Sequence, residues 1–463
     1  MSTYALPARI AVGILVIAAA VGAAAAPPSA QQLFQQPQLS AAELSPNGRY
    51  VAMRVLQKDG HHCLAVLDIE SMKSTIAVAF HDGDVNHFHW VNDERLVLDQ
   101  VTMLVRKGYV DVGPGLFAVQ RDGSEFRPLV RTDADGWVSG PKIGRELLSF
   151  HTRLYAVNPN QQSNEVLLVR PEGHTRSTGV SYLSLLRVDT LTGIAKDIDT
   201  PTRSGDWLLD ARGQPRSAVV EEDNHRTVLW RDDTGVWSPI DESQRFFGAA
   251  LEPSYLTPDG RLYVRARPDS DTTGLYTYDL KQKKIELPAA VAPAGFDVYP
   301  TYIVNDQGLL GLRYVIDASV TQWFDGALKS VQDRVDRVLQ TTVNELTPPR
   351  RPGLPYVLVK SYSDVQPPVY YLFNIDSSKF IKLGTTLPGL DPKSLGTTDF
   401  VRYKARDGLE IPAWLTLPPG DAKKGLPLVV LVHGGPWVRG SAWGFDREVQ
   451  FLASRGYAVL QPE

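Results

Sequence analysis

Short runs in which apolar and polar residues alternate occupy most of the chain between residues 42 and 388. Residues 261–265 (RLYVR) and 274–279 (GLYTYD) are typical examples. Alternation with a period of two is expected of antiparallel strands that bury one face and expose the other. The pattern therefore predicts an all-β region made of many short strands.

Recurring turns divide these strands into units. The clear turns are rich in Gly, Asp or Asn and lie at residues 45–49, 92–94, 210–213, 257–260 and 305–308. Where they are clear, neighbouring turns are separated by roughly 45 to 50 residues, close to the period of a four-stranded propeller blade; between residues 136 and 201 the turn signals blur. Because each sheet covers its faces by packing against its neighbours, such sheets close into a ring. The spacing allows six or seven blades, and we predict a seven-bladed, all-β β-propeller over residues 31–390.

One segment inside this region has a different period. Between residues 319 and 346, apolar residues recur at helical spacing with charges between them, namely Phe324, Leu328, Val331, Val335, Val338 and Leu339. This spacing predicts an amphipathic helix. Its apolar face either packs on its own domain, which we favour, or binds a partner.

The pattern changes after Pro388. The predicted elements there are strands at residues 401–405, 410–417, 428–432 and 457–461 and a helix at residues 445–454. Residues 428–432 (LVVLV) are continuously aliphatic, which predicts a strand buried on both faces of a largely parallel sheet. The architecture of residues 396–463 is therefore predicted to be α/β.

A glycine pair follows the aliphatic strand directly, in the sequence His433-Gly434-Gly435. Glycines at the carboxyl end of a buried strand expose backbone N–H groups, and in α/β-hydrolases such a loop supplies half of the oxyanion hole. One donor of this kind contributes about 3 to 4 kcal/mol in the transition state. We predict Gly434 as the donor, and His433 either orients the loop or only caps the strand. Residues 396–463 are thus predicted to be the first part of an α/β-hydrolase domain.

Three segments make this prediction more specific. Residues 400–418, 428–437 and 452–459 resemble the start of the catalytic domain of the prolyl oligopeptidase family, in its acylaminoacyl peptidase and dipeptidyl aminopeptidase-like branch. Residues 322–325 and 370–373 are similar to the last propeller blades of that branch. The resemblance implies a serine-type peptidase that hydrolyses short peptides, with a propeller that restricts access.

The resemblance also implies a Ser-Asp-His triad whose serine lies in a Gly-x-Ser-x-Gly turn. The 463 residues contain no such turn. We therefore expect an N-terminal fragment that is inactive alone, with its triad beyond Glu463. Two alternatives stay open: an exported propeller that binds a partner without catalysis, and an esterase on the same fold.

Other candidate site residues are weaker. Glu221 and Glu222 form the acidic pair that could bind a substrate's amino terminus, although a solvated hairpin tip is the simpler interpretation. His87 and His89 lie on one strand face but lack an evident third ligand, so we expect no metal. No cofactor is expected.

The remaining features concern location and partners. Arg9, an apolar run at residues 10–26 and two prolines form a signal-peptide pattern, so we predict a signal peptide at residues 1–26 and an exported protein, periplasmic or secreted. The run is shorter than the roughly 20 residues of a membrane span, so no stable span is expected after cleavage. The net charge of -4 without a basic block excludes nucleic-acid binding. A peptide substrate is the expected partner, and the oligomeric state and cleavage specificity stay open.

Overall fold

The computed structural model describes residues 26–81, 83–101, 113–132, 147–172, 182–244, 251–268, 270–351, 353–420, 424–435, 440 and 442–463. The predicted signal peptide lies outside the described residues except for Ala26. The described chain begins with a short helix, α1 (Ala30–Phe34), which Ser29 caps. Within the described residues, no helix has both the length and the apolar character that crossing a membrane requires.

Seven successive antiparallel sheets follow α1 in the described residues, and each is a simple meander of consecutive strands. Sheet 1 contains β1 (Leu39–Leu44), β2 (Tyr50–Leu56), β3 (His62–Asp68) and β4 (Lys73–Val78), and sheet 2 contains β5 (Asp84–Trp90), β6 (Arg95–Val101), β7 (Leu116–Gln120) and β8 (Arg127–Val130). Sheet 3 contains β9 (Arg153–Val157), β10 (Glu165–Glu172), β11 (Tyr182–Asp189) and β12 (Ala195–Asp197), and sheet 4 contains β13 (Ser204–Leu209), β14 (Pro215–Glu222), β15 (His225–Arg231) and β16 (Trp237–Gln244). Sheet 5 contains β17 (Glu252–Leu256), β18 (Leu262–Ala266), β19 (Gly274–Asp279) and β20 (Lys284–Val291). Sheet 6 contains β21 (Thr301–Asn305), β22 (Gly308–Val315) and β23 (Ser319–Trp323), and sheet 7 contains β24 (Val343–Thr347), β25 (Tyr356–Tyr362), β26 (Val369–Asn374) and β27 (Phe380–Thr385). The predicted seven-bladed β-propeller is confirmed.

The first strand of each sheet borders the axis of the ring. Trp90 on β5 donates its indole N–H to the carbonyl of Glu43 on β1 at 3.1 Å. Tyr302 on β21 donates to the hydroxyl of Ser254 on β17 at 2.7 Å, and β13 contacts β17. Since the first strands of successive sheets lie beside one another, they form the inner wall of the propeller.

Sheets 1 and 7 close the ring by side-chain packing and hydrogen bonds. Leu39 and Val51 of sheet 1 share a buried cluster with Leu372 of sheet 7. The hydroxyl of Tyr370 donates to the carbonyl of Ser40 at 3.2 Å. The closure therefore joins the two ends of the repeat region through apolar burial, the largest favourable term in folding.

The predicted amphipathic helix is shorter than residues 319–346. The observed helix, α2 (Gly326–Val338), lies between β23 and β24, and Asp325 caps its first turn. The flanking residues form strands because they pair with β22 and β25. Val331 and Val335 are buried in a cluster with Phe373 of sheet 7. The prediction that the apolar face packs on its own domain is confirmed.

The last part of the chain has the predicted α/β architecture. It contains β28 (Thr397–Lys404), β29 (Glu410–Leu417), β30 (Leu428–Val430), helix α3 (Arg447–Ala453) and β31 (Ala458–Pro462). The strand order is β28-β29-β31-β30, and β30 pairs with β31 in parallel. We call residues 396–463 the hydrolase segment. β27 ends at Thr385 and β28 begins at Thr397, and the exact boundaries at residues 390 and 396 stay predictions.

The aliphatic run at residues 428–432 was expected to be buried on both faces, and this expectation is wrong. Leu428, Val430 and Val432 are 55%, 53% and 71% exposed. The reason is that Leu428, Val430 and Val432 share one face of the strand, and in the described part of the chain that face is left uncovered at the edge of the sheet, where β30 pairs with β31 alone. Val459 on the inner strand β31 is fully buried.

We expect the 463-residue chain to self-associate through β30, because an exposed aliphatic edge strand is a template for pairing. Replacing Val430 with lysine should shift the chain severalfold toward monomer, since a charge on an edge strand opposes pairing. Size-exclusion chromatography with light scattering measures the shift. Val236→Lys is the matched control, since Val236 is 60% exposed in a turn of sheet 4. Identical elution of the parent chain and Val430→Lys would contradict the prediction.

Candidate functional site

The His433-Gly434-Gly435 loop lies where the sequence predicts it, at the carboxyl end of the parallel strand β30. The N–H of Leu431 donates to the carbonyl of Leu460 at 2.9 Å, so the chain stays beside β31 until shortly before the loop. A Cβ atom added at Gly434 would meet no atom within 4 Å. The backbone at Gly434 is therefore open to an approaching group. Pro436 and Trp437 lie outside the described residues.

The ring of His433 fixes the orientation of the next peptide unit. Its Nδ1 lies 2.6 Å from the carbonyl oxygen of Gly434, so the tautomer that carries a proton on Nδ1 donates this hydrogen bond. In a trans peptide the C=O and the following N–H point in opposite directions. The bond therefore turns the N–H of Gly435 away from the imidazole ring.

Gly440 packs closely on the same ring. A Cβ atom at position 440 would lie 2.0 Å from Cγ of His433, so a larger residue would displace the ring. The N–H of Gly440 also donates to Oε2 of Glu463 at 3.2 Å. These contacts support the interpretation in which His433 orients the loop. The role of Gly434 and Gly435 as oxyanion donors stays a prediction.

Glu221 and Glu222 lie at the end of β14, in the hairpin that leads to β15. Glu222 forms an ion pair with Arg203, and both side chains are more than half exposed. This placement is that of the solvated hairpin tip considered from the sequence. The structure places the acidic pair on sheet 4 and the glycine loop on the hydrolase segment.

His87 and His89 each pair with a separate carboxylate. Nδ1 of His87 lies 3.2 Å from Asp99, and Nδ1 of His89 lies 3.4 Å from Glu43. The hydrogen bond with Glu43 raises the pKa of His89 above its ordinary value. The search for three or more His, Cys, Asp or Glu side chains grouped as metal ligands finds none in the described part of the chain.

Sequence reasoning missed the residue that seats the hydrolase segment on the propeller, Gln450 on α3. Its side chain is 1% exposed. Its Nε2 donates to the carbonyls of Asp364 at 2.9 Å and Gly396 at 2.7 Å, and its Oε1 accepts from the N–H of Gly396 at 2.8 Å. Asp364 lies in the turn between β25 and β26, and its carboxylate accepts from the N–H of Thr398. Gln450 and its neighbour Val449 are both buried on α3, but a glutamine within a predicted helix gives no sequence signal for this role.

The N-terminal helix α1 also contacts the hydrolase segment. The rings of Phe34 and Phe451 lie 5.6 Å apart. Arg447 donates to the carbonyl of Gln35 at 3.0 Å, and Arg455 donates to that of Pro28 at 2.9 Å. The residues before β1 thus help to hold the hydrolase segment at one end of the propeller.

The chain thus combines a seven-bladed propeller with the start of an α/β-hydrolase fold that carries a His-Gly-Gly loop. No family model matches the chain. Two curated proteins match the chain in sequence. Dipeptidyl aminopeptidase BIII of Pseudoxanthomonas mexicana is 30% identical over 249 residues, which are 51% of this chain and 35% of that protein. Dipeptidyl peptidase family member 6 of Caenorhabditis elegans is 33% identical over 125 residues, which are 22% of this chain and 17% of that protein.

Solved structures share the fold across 94% of this chain. They include a prolyl endopeptidase (TM-score 0.61, 13% identity, 64% of its chain covered) and a puromycin-hydrolyzing peptidase of Mycobacterium tuberculosis (0.60, 14%, 68%). An acylaminoacyl peptidase of Pyrococcus horikoshii also matches (0.54, 12%, 66%). The chain is thus similar to members of the prolyl oligopeptidase family of peptidases. It spans about a third or less of the length of the curated relatives it matches.

Proposed function

We propose that the chain is the propeller and the start of the catalytic domain of an exported serine-type peptidase that cleaves short peptides. Its Ser-Asp-His triad would lie in residues beyond Glu463. The observation that carries the proposal is the His433-Gly434-Gly435 loop at the carboxyl end of β30, because this is the place where α/β-hydrolases hold oxyanion donors. The sequence relationship to two dipeptidyl peptidases supports the same class.

The chemistry of the loop follows from its geometry. During acyl transfer the carbonyl oxygen of the substrate becomes an alkoxide, which backbone N–H groups stabilise when they are held in place beforehand. His433 bonds to the carbonyl of Gly434 and so holds the peptide that carries the N–H of Gly435. Gly434 adds a second N–H without a side chain to obstruct the substrate. Gly434 and Gly435 are the proposed donors, and His433 is the proposed positioning residue.

The propeller would restrict which substrates reach the triad. Asp364, in a turn of sheet 7, contacts both Thr398 and Gln450 of the hydrolase segment, so the catalytic domain would cover that end of the ring. An unfolded short peptide passes narrow gaps that exclude a folded protein. The propeller would thereby limit hydrolysis to short peptides, and Glu221 and Glu222 are candidates for binding their amino termini.

A comparison of substrates tests the proposal. The protein translated past Glu463 to its stop codon should hydrolyse chromogenic di- and tripeptide anilides. It should not hydrolyse a folded protein that contains the same di- and tripeptide sequences. Peptides with free and with acylated amino termini test the role of Glu221 and Glu222. Binding of the peptides without turnover would favour the non-catalytic alternative, and hydrolysis of esters but not of the matching anilides would favour the esterase.

A further inference from the structure

The connection between β24 and β25 is longer than the corresponding turns of the other sheets. It is described at residues 348–351 and 353–355, whereas β21 and β22 are joined by Asp306 and Gln307 alone. It lies at one end of β25, and Asp364 beyond the opposite end contacts the hydrolase segment. The long connection therefore lies at the end of the propeller far from the hydrolase segment, which we call the distal end.

Arg351 in this connection binds residues of three other sheets with its side chain. Its Nη2 lies 3.0 Å from Oδ1 of Asp93, in the first turn of sheet 2. Its Nη1 donates to the carbonyl of Asn160, in the first turn of sheet 3, at 3.2 Å. The same Nη1 lies 3.5 Å from Oδ2 of Asp306, in the first turn of sheet 6.

These partners fix the place of the guanidinium group. Sheets 3 and 6 lie three positions apart in a ring of seven, which is the largest separation the ring allows. One guanidinium group within 3.5 Å of a turn from each must lie over the axis. The planar fork of five N–H donors suits arginine to several acceptors in different directions.

The backbone of the connection is also held against the neighbouring sheet 1. The N–H of Arg351 donates to the carbonyl of Pro46, in the first turn of sheet 1, at 2.8 Å. A Cβ atom at Gly353 would lie 1.7 Å from the carbonyl oxygen of Asn47, so the connection approaches sheet 1 as closely as glycine permits. Asp93 is fixed in turn by the N–H of Asn47 at 2.8 Å.

We infer that Arg351 closes the distal opening of the propeller axis and locks together the first turns of sheets 1, 2, 3 and 6. Solutes then reach the interior of the ring from the end that carries the hydrolase segment or between sheets. The inference concerns the propeller itself and does not depend on the proposed peptidase function.

Hydrogen exchange of the 463-residue chain tests the locking. Arg351→Ala should raise amide exchange by roughly tenfold or more in the first turns of sheets 2 and 3, because these turns lose their side-chain partner and local opening sets the exchange rate. The first turns of sheets 4 and 5, residues 210–213 and 257–260, should not change. Arg350→Ala is the matched control, because Arg350 contacts Asp306 through its Nε and does not contact Asp93, the other acidic partner of Arg351. The effect of Arg350→Ala should therefore stay in sheet 6.

The pattern of exchange decides the outcome. Faster exchange confined to residues 348–355, or equal acceleration in all seven sheets, would overturn the inference. If Arg351→Ala does not fold, Arg351→Lys keeps the charge but loses the fork, and it should give the same pattern to a smaller extent.

Thiol labelling tests the closure. Two variants in a Cys63→Ala background carry one new cysteine each. His89→Cys places it on β5 near the distal end, where His89 is half exposed. Thr301→Cys places it at the start of β21, at the end of the propeller opposite to the distal end. Arg351→Ala should speed the reaction of a bulky maleimide with the His89→Cys thiol by roughly tenfold, as opening makes the site accessible. The Thr301→Cys thiol should react at an unchanged rate. Equal rates at position 89 with and without Arg351 would overturn the closure.

Discussion

Gln450→Leu is expected to release the hydrolase segment from the propeller. The substitution removes three hydrogen bonds and leaves the N–H and carbonyl of Gly396 and the carbonyl of Asp364 without this partner. Each buried polar group that loses its partner costs about 1 to 3 kcal/mol. Only the bond to Asp364 joins the segment to the propeller directly, whereas the two bonds to Gly396 hold the residue before β28 on α3. We therefore expect a loss of roughly 1 to 3 kcal/mol in the free energy that holds the segment on the propeller.

Limited proteolysis with mass spectrometry measures this release. Cleavage between residues 396 and 402 should become much faster in Gln450→Leu, while the propeller fragment stays resistant. Glu448→Ala is the control, since Glu448 is exposed on the same helix. Unchanged cleavage in Gln450→Leu would show that other contacts, such as those of α1, suffice to seat the segment.

Gly434→Pro is expected to lower the kcat of the proposed peptidase, translated past Glu463 to its stop codon, by about a hundredfold or more, the effect of losing one oxyanion donor. Proline has no backbone N–H, so it cannot donate to the developing alkoxide. Because this interaction forms in the transition state, the change should appear in kcat with little change in KM.

Gly434→Ala separates the donor from the shape of the loop. Alanine keeps the N–H, and its Cβ would meet no atom within 4 Å, so the variant should retain most of the activity. Full activity of Gly434→Pro would exclude Gly434 as a donor. Equal loss in both variants would mean that the loop needs glycine for its conformation.

The features predicted from sequence are those that local patterns determine. The turn at residues 257–260 and the alternation at residues 261–265 are local, and the structure has β17 and β18 on either side of that turn. The glycine loop follows an aliphatic strand within a few residues, so its position was also predictable. Repetition of such local units made a propeller of seven sheets predictable.

The features that sequence missed depend on partners distant in the chain. Arg351 binds Asp93, which lies 258 residues away, and no local pattern distinguishes it from a solvated arginine. The exposure of Val430 depends on which strand lies beside β30, and a continuous aliphatic run does not specify an edge. Gln450 gave no signal because its acceptors are backbone carbonyls, which every sequence contains.

The most direct test of the central claim, that this chain carries the propeller and the oxyanion loop of a serine peptidase, is labelling with a fluorophosphonate probe. The protein translated to its stop codon should be labelled at the serine of a Gly-x-Ser-x-Gly turn, and the 463-residue chain should show no labelling above background. A folded extended protein that the probe does not label would contradict the claim, as would labelling of the 463-residue chain itself.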